Sequence, residues 1–80
     1  MATEEIRAML PGIFYRRPSP DQPPYKNDGG MVAKGDVIGL IEVMKSFHEV
    51  HSTVDGTIIA FKVGNAEPIS PGTILAEVET

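Results

Sequence analysis

The sequence predicts an all-β domain, and three observations carry that prediction. Segments rich in β-branched and aromatic residues recur at short, regular intervals, over residues 13–16, 37–43, 47–54, 58–63 and 74–79. Turn dipeptides separate them: Pro11-Gly12, Asp55-Gly56 and Pro71-Gly72. The two halves of the chain also resemble one another, which is the mark of a fold built from a repeated unit.

Composition bounds the rest. Eighty residues make one small domain, 1–80, whose single core is close to the lower limit for independent folding. Without cysteine there is no disulfide framework and no thiolate metal site. A formal charge of -4 argues against nucleic-acid binding, which depends on neutralising phosphates. No apolar run approaches the ~20 residues of a membrane-spanning helix. Met1-Ala2-Thr3-Glu4-Glu5 has neither the basic nor the apolar region of a secretory leader, so a cytoplasmic location is expected.

Residues 1–5 carry no pattern and are expected to fray. Residues 6–10 read as a short strand, Pro11-Gly12 as a turn, and residues 13–16 as the next strand. The composition then changes. Residues 17–28 hold Pro18, Pro20, Pro23 and Pro24 with Ser19, Asp21 and Asn27. Prolines remove ladder donors, so this is a stiff inserted loop and not a central strand. Loops this long in so small a domain are disproportionately functional.

Two offsets define the repeat. Shifting residues 31–43 by 37 sets Val32 on Ile69, Gly35 on Gly72, Val37 on Ile74, Gly39 on Ala76, Ile41 on Val78 and Glu42 on Glu79. A shift of 44 sets Pro11-Gly12-Ile13 on Asp55-Gly56-Thr57. The seven-residue difference is extra chain in the first half, where the proline-rich loop lies. Alternation along the matched segments places Val37, Gly39, Ile41, Ile74, Ala76 and Val78 inward. The small Gly39 and Ala76 are expected where two sheets approach closely.

The stretch Glu42-Val43-Met44-Lys45-Ser46-Phe47 lies between two strand-like segments. Read as a hairpin, it carries Lys45 at its tip. A helical stripe through Ile41, Met44, His48 and His51 fits the spacing too, but Gly39 and the β-branched Val37, Ile38, Ile41, Val43, Val50, Thr53 and Val54 oppose it. A lysine on a stiff, exposed turn suits an attachment point better than a catalytic base, which needs burial or a close charge. Glu42, three residues earlier, is placed to pair with Lys45. On a strand His48 and His51 face opposite ways and form no metal pair. His48 shares a face with Val50 and is expected to be partly buried. No Ser/His/Asp or Cys/His constellation and no phosphate-binding glycine loop is present.

These residues resemble the biotinyl domain of biotin carboxyl carrier proteins of acetyl-CoA carboxylase, the enzyme that opens fatty acid biosynthesis. Glu42-Val43-Met44-Lys45 resembles the family's attachment motif, with Val43 in place of alanine and Ser46 in place of the methionine after the lysine. Residues 11–21, Pro-Gly-Ile-Phe-Tyr-Arg-Arg-Pro-Ser-Pro-Asp, resemble the run that opens the family's protruding thumb. The resemblance implies a flattened barrel or sandwich of two four-stranded antiparallel sheets with quasi-two-fold symmetry. It implies covalent biotin on Lys45, attached by a biotin protein ligase. It also implies transfer of a carboxyl group from a biotin carboxylase to a carboxyltransferase, with no catalysis by the carrier itself. Pro18, Ser19, Pro20 and Asp21 are then the thumb residues expected to contact biotin. Two other functions share the hairpin. A lipoyl carrier also acylates a hairpin lysine, although the residue before it is usually aspartate or serine, and here it is Met44. An unmodified interaction module is the other.

Overall fold

The computed structural model describes residues 2–80. Its strands, in chain order, are β1 (Thr3–Arg7), β2 (Gly12–Tyr15), β3 (Met31–Val32), β4 (Val37–Val43), β5 (Ser46–His51), β6 (Gly56–Phe61), β7 (Glu67–Ile69) and β8 (Ile74–Glu79). They form two four-stranded antiparallel sheets, ordered β1-β8-β6-β3 and β5-β4-β2-β7. The sheets share no strand, so the architecture is an open, flattened sandwich of 38 × 27 × 19 Å and not a closed barrel. No helix among the described residues is long and apolar enough to cross a membrane.

The repeat seen in the sequence generates this topology. The 44-residue offset carries β1 and β2 onto β5 and β6; the 37-residue offset carries β3 and β4 onto β7 and β8. Relabelling one sheet in this way reproduces the strand order of the other. The connecting turns repeat as well. Ser52 N–H donates to Asp36 O (2.8 Å) and Gly35 N–H to Ser52 O (2.8 Å). At the matching positions Ala8 N–H donates to Thr73 O (2.8 Å) and Gly72 N–H to Ala8 O (2.9 Å).

Four expectations need correction. Residues 3–5 do not fray: Thr3, Glu4 and Glu5 pair with Glu79, Val78 and Glu77, because the start of β1 lies along β8. Met1 lies outside the described residues. The inward face does not alternate strictly. Gly39, Ile41, Ala76 and Val78 are buried as expected, but Val37 and Ile74 are only half-buried, and Ile38 and Leu75 are fully buried. The cause is a pair of matching irregularities. The β4–β5 register steps from Val37↔His51 to Gly39↔Val50, passing over Ile38; the β1–β8 register steps from Arg7↔Ile74 to Ile6↔Ala76, passing over Leu75. An unpaired extra residue resets the two-residue period.

The third correction concerns Gly39. A Cβ there would lie 2.5 Å from Cε1 of Phe14, on the neighbouring strand of the same sheet. Its smallness accommodates an aromatic ring and does not serve sheet-to-sheet approach. The repeat shows the compensation: Phe14 and Gly39 correspond to Ile58 and Ala76, a smaller side chain facing a larger one.

The core follows the same symmetry. One buried cluster holds Ile6, Val32, Ile38, Ile58, Ala76 and Val78; the other holds Ala8, Phe14, Ile41, Ile69 and Leu75. Val50 and Phe61 pack against both. Between the outermost strands β1 and β5 the sandwich stays open, leaving a groove of about 600 Å³ whose lining includes Ile6, Met9, His48 and Val50. His48 is therefore exposed and not partly buried, since β5 is the last strand of its sheet and no strand covers it.

Ile41 and Val78 are 2% and 0% exposed and occupy equivalent places in the two clusters. Each of Ile41→Asp and Val78→Asp buries a charge with no partner, at a cost of about 4 kcal/mol or more. That is most of the stability of a domain this size, so both variants should be unfolded or nearly so by circular dichroism. Near-native thermal stability in either would refute the proposed inward face.

Candidate functional site

The β4–β5 hairpin closes through two residues, Met44 and Lys45, between the paired Val43 and Ser46. Both turn residues have positive φ, 49° and 67°. That is the signature of a type I′ turn, whose twist matches the flanking strands. Neither residue is glycine or asparagine, so the left-handed geometry is held by the hairpin against the local preference of the side chains. Met44 is 94% exposed and Lys45 is exposed beside it. Among the described residues Lys45 takes part in no ion pair.

Glu42 does not pair with Lys45, as the sequence suggested it would. Its Oε1 accepts a hydrogen bond from the Tyr15 hydroxyl at 2.9 Å. The β2–β4 register explains the choice, since it brings Tyr15 opposite Leu40 and next to Glu42 on the outer face of the sheet. Glu42 raises the Tyr15 pKa above that of a free phenol, first by accepting this hydrogen bond, with partial burial adding to it. The donor therefore stays protonated through neutral pH. Tyr15 also lies against Phe47, the cross-strand partner of Glu42, with ring centroids 6.2 Å apart.

The proline-rich loop folds over this same face. Its apex and the hairpin enclose a cavity of about 290 Å³. Pro18, Ser19 and Pro20 form one wall; Tyr15, Leu40 and Phe47 form the other; Arg17 and Asn65 complete it. Asp21, expected to join its neighbours, instead accepts a hydrogen bond from the Ser19 hydroxyl (2.8 Å) and is not part of the lining. Val43 packs on the core, while Ser46 is exposed at the hairpin shoulder.

The loop is tied down at its root. Tyr25 N–H donates to Arg16 O (2.9 Å), and the Arg16 guanidinium stacks 4.2 Å from the Phe61 ring centroid. Phe61 N–H donates to Asp28 Oδ1 (3.0 Å), Gly29 N–H to Ile58 O (2.7 Å), and Ile58 N–H to Gly30 O (2.8 Å). Lys26 Nζ lies 3.1 Å from Asp36 Oδ2. The Ala33 N–H first, and Lys26 second, hold the Asp36 carboxyl below the usual carboxylate range.

Tyr15, Arg17, Leu40 and Asn65 are the lining residues that sequence reasoning missed. One signal was available. Asn65 is the repeat mate of Asp28, at the foot of the loop, and its Oδ1 accepts from Arg16 N–H at 2.8 Å. No cluster of three metal-ligating side chains occurs among the described residues. The His51 ring contacts Gly35 O (2.9 Å).

The turn geometry yields a stability prediction. Replacing Met44-Lys45 with Asn-Gly relieves the left-handed strain and should stabilise the domain by about 1 kcal/mol. In a domain of this size that raises the melting temperature by about 4–8 °C. An unchanged or lower melting temperature would show that the turn carries no strain.

Comparison with known proteins agrees with this geometry. The sequence profile of the biotin/lipoyl family, described as "Biotin-requiring enzyme", matches residues 4–78. The chain is 34% identical over 74 residues to the chloroplastic biotin carboxyl carrier protein of acetyl-CoA carboxylase 1 from Arabidopsis thaliana, covering 92% of this chain and 26% of that protein. It is 35% identical over 74 residues to the biotin carboxyl carrier protein of acetyl-CoA carboxylase from Streptococcus pyogenes, covering 92% and 45%. With the Pseudomonas aeruginosa protein of the same description it shares 34% identity over 64 residues, covering 80% and 41%. The chain thus spans from about a quarter to under half the length of these relatives. With nearly its whole length matched by the family profile, this chain belongs to the biotin/lipoyl family of biotin-requiring enzymes.

Proposed function

We propose that this chain is the biotinyl domain of a biotin carboxyl carrier, with biotin joined by an amide to Nζ of Lys45. The observation that carries the reading is the combination at one place of an exposed lysine without an ion-pair partner, a stiff two-residue turn, and a cavity beginning two residues away at Phe47. The residues present fit the group. Lys45 offers an amine for the amide. The walls of Phe47, Pro18 and Pro20 suit a flat apolar ring, and Ser19 and Asn65 suit its polar edge.

When bound, biotin supplies a ring that accepts and gives up a carboxyl group. This chain supplies position. The type I′ turn holds Lys45 clear of the sheet, where an attaching ligase can approach it. Tyr15 keeps the Glu42 carboxylate occupied, which leaves the lysine without a competing partner. A tether confines the carried group to a short radius, replacing diffusion between two distant sites by a local search at high effective concentration. The partners in this reading are a biotin protein ligase, a biotin carboxylase and a carboxyltransferase. The acceptor is acetyl-CoA, the chain itself performs no catalysis, and it works in the cytoplasm. The names of the relatives support the acceptor and the assembly.

Co-expression with a biotin protein ligase and biotin should add one biotinyl group by intact mass. Acylation removes the lysine's positive charge, so the formal charge becomes one unit more negative than -4 and the modified form separates on a native gel. Lys45→Arg should abolish both changes. A biotinylated Lys45→Arg protein would move the site to Lys26, Lys34 or Lys62. A lipoyl adduct, or no adduct with an active ligase, would replace the reading with one of the two alternatives.

A further inference from the structure

The cavity under the proline-rich loop has an uneven charge balance. Among the described residues Arg7 pairs with Glu5, Arg16 lies beside Asp28, Lys26 pairs with Asp36 and Lys62 with Glu77. Arg17 has no such partner, although it is half-buried and lines the cavity. Two carboxylates are bonded to hydroxyls of the lining and keep their charge. Glu42 accepts from Tyr15 and Asp21 accepts from Ser19, and neither lines the cavity. Asn65 receives Arg16 N–H on its Oδ1, which leaves its amide N–H groups as donors on the same lining. Arg17 and Asn65 thus line a small space whose other walls are Tyr15, Phe47, Leu40, Ser19 and two prolines. A guanidinium presents planar, paired donors matched to a carboxylate.

We propose that this cavity is selective for an anionic ring compound, with Arg17 as the residue that confers the selectivity. The inference rests on the carrier reading above and deepens it. The neutral, unloaded arm on Lys45 meets the apolar walls, Ser19 and Asn65. The arm bearing a carboxylate gains Arg17 as well. The loop would thereby distinguish the loaded from the unloaded carrier, retaining the charged form and letting the neutral form go. Arg17 is a specificity residue here, and it is separate from the attachment chemistry at Lys45.

The test uses the unmodified full chain and two probes of one shape, benzoate and benzamide, titrated by two-dimensional NMR. Benzoate should bind about fivefold more tightly than benzamide, shifting the resonances of Arg17, Phe47 and Asn65. Arg17→Gln should erase that preference, and Arg17→Lys should keep part of it. Raising the salt concentration should weaken benzoate binding and leave benzamide binding unchanged. Equal affinities in the wild type, an unchanged preference in Arg17→Gln, or shifts confined to the groove between β1 and β5 would each overturn the proposal. The carrier reading is checked on the same protein by intact mass after ligase treatment. A biotinylated chain that shows no anion preference therefore refutes Arg17 selectivity alone.

Discussion

The central strand pairs of this domain close against two glycines, and the rest of the fold depends on that closeness. A Cβ on Gly12 would lie 2.2 Å from the backbone oxygen of Glu42, and a Cβ on Gly56 would lie 2.2 Å from the backbone oxygen of Glu79. These positions are equivalent in the repeat. At each, backbone approaches backbone more nearly than any side chain allows. Gly12 starts β2, and Glu42 stands near the end of β4, three residues before Lys45. Widening that contact would move β4 away from β2 and take the hairpin with it. The position of the exposed lysine therefore depends on a glycine thirty-three residues away in sequence.

On this symmetric frame the functional features sit in one half only. Where β4 and β5 are joined by Met44-Lys45, the equivalent ends of β8 and β1 are the paired Thr80 and Ala2, with Thr80 N–H donating to Ala2 O at 2.8 Å. Where β6 leads to β7 through residues 62–66, β2 leads to β3 through residues 16–30. The longer connection covers the outer face of the hairpin's own sheet, so Phe47 and the loop come to share a cavity. One frame thus supplies stiffness twice, and the asymmetry of two connections supplies the site. The Arg16–Phe61 stack and the hydrogen bonds at Asp28 and Gly29 fasten the loop to β6.

Much of this was legible in the sequence because the repeat constrains it. The 37-residue offset matches Val32 with Ile69, Ile41 with Val78 and Gly35 with Gly72, and these pairs do occupy equivalent places. The residues misread are those whose environment is fixed by a neighbouring strand. Ile38 and Leu75 break alternation because each is itself passed over in the pairing with the neighbouring strand, and nothing local to either segment signals a skip. Glu42 turned to Tyr15 because the β2–β4 register, which spans twenty-seven residues, sets those two side by side. Spacing along one strand could suggest only Lys45. Residues 3–5 lacked an apolar pattern because an outermost strand needs backbone pairing more than burial, and β8 provides it. At the site, the motif pointed to Lys45 and to the proline run, but not to Arg17 or Asn65, which reach the cavity from the loop's root and from the opposite turn.

The most direct test of the central claim, that the repeat alone builds the frame and the inserted loop is added to it, is to shorten that loop. Residues 18–27 would be replaced by Lys-Val-Gly, the sequence of residues 62–64 at the equivalent place in the second half. The account predicts a cooperatively folded domain with unchanged amide shifts through the β4–β5 hairpin. It also predicts Lys45 acylation by a biotin protein ligase at the wild-type rate. An unfolded chain, or a hairpin whose shifts move with loss of the loop, would contradict it and make the loop part of the fold.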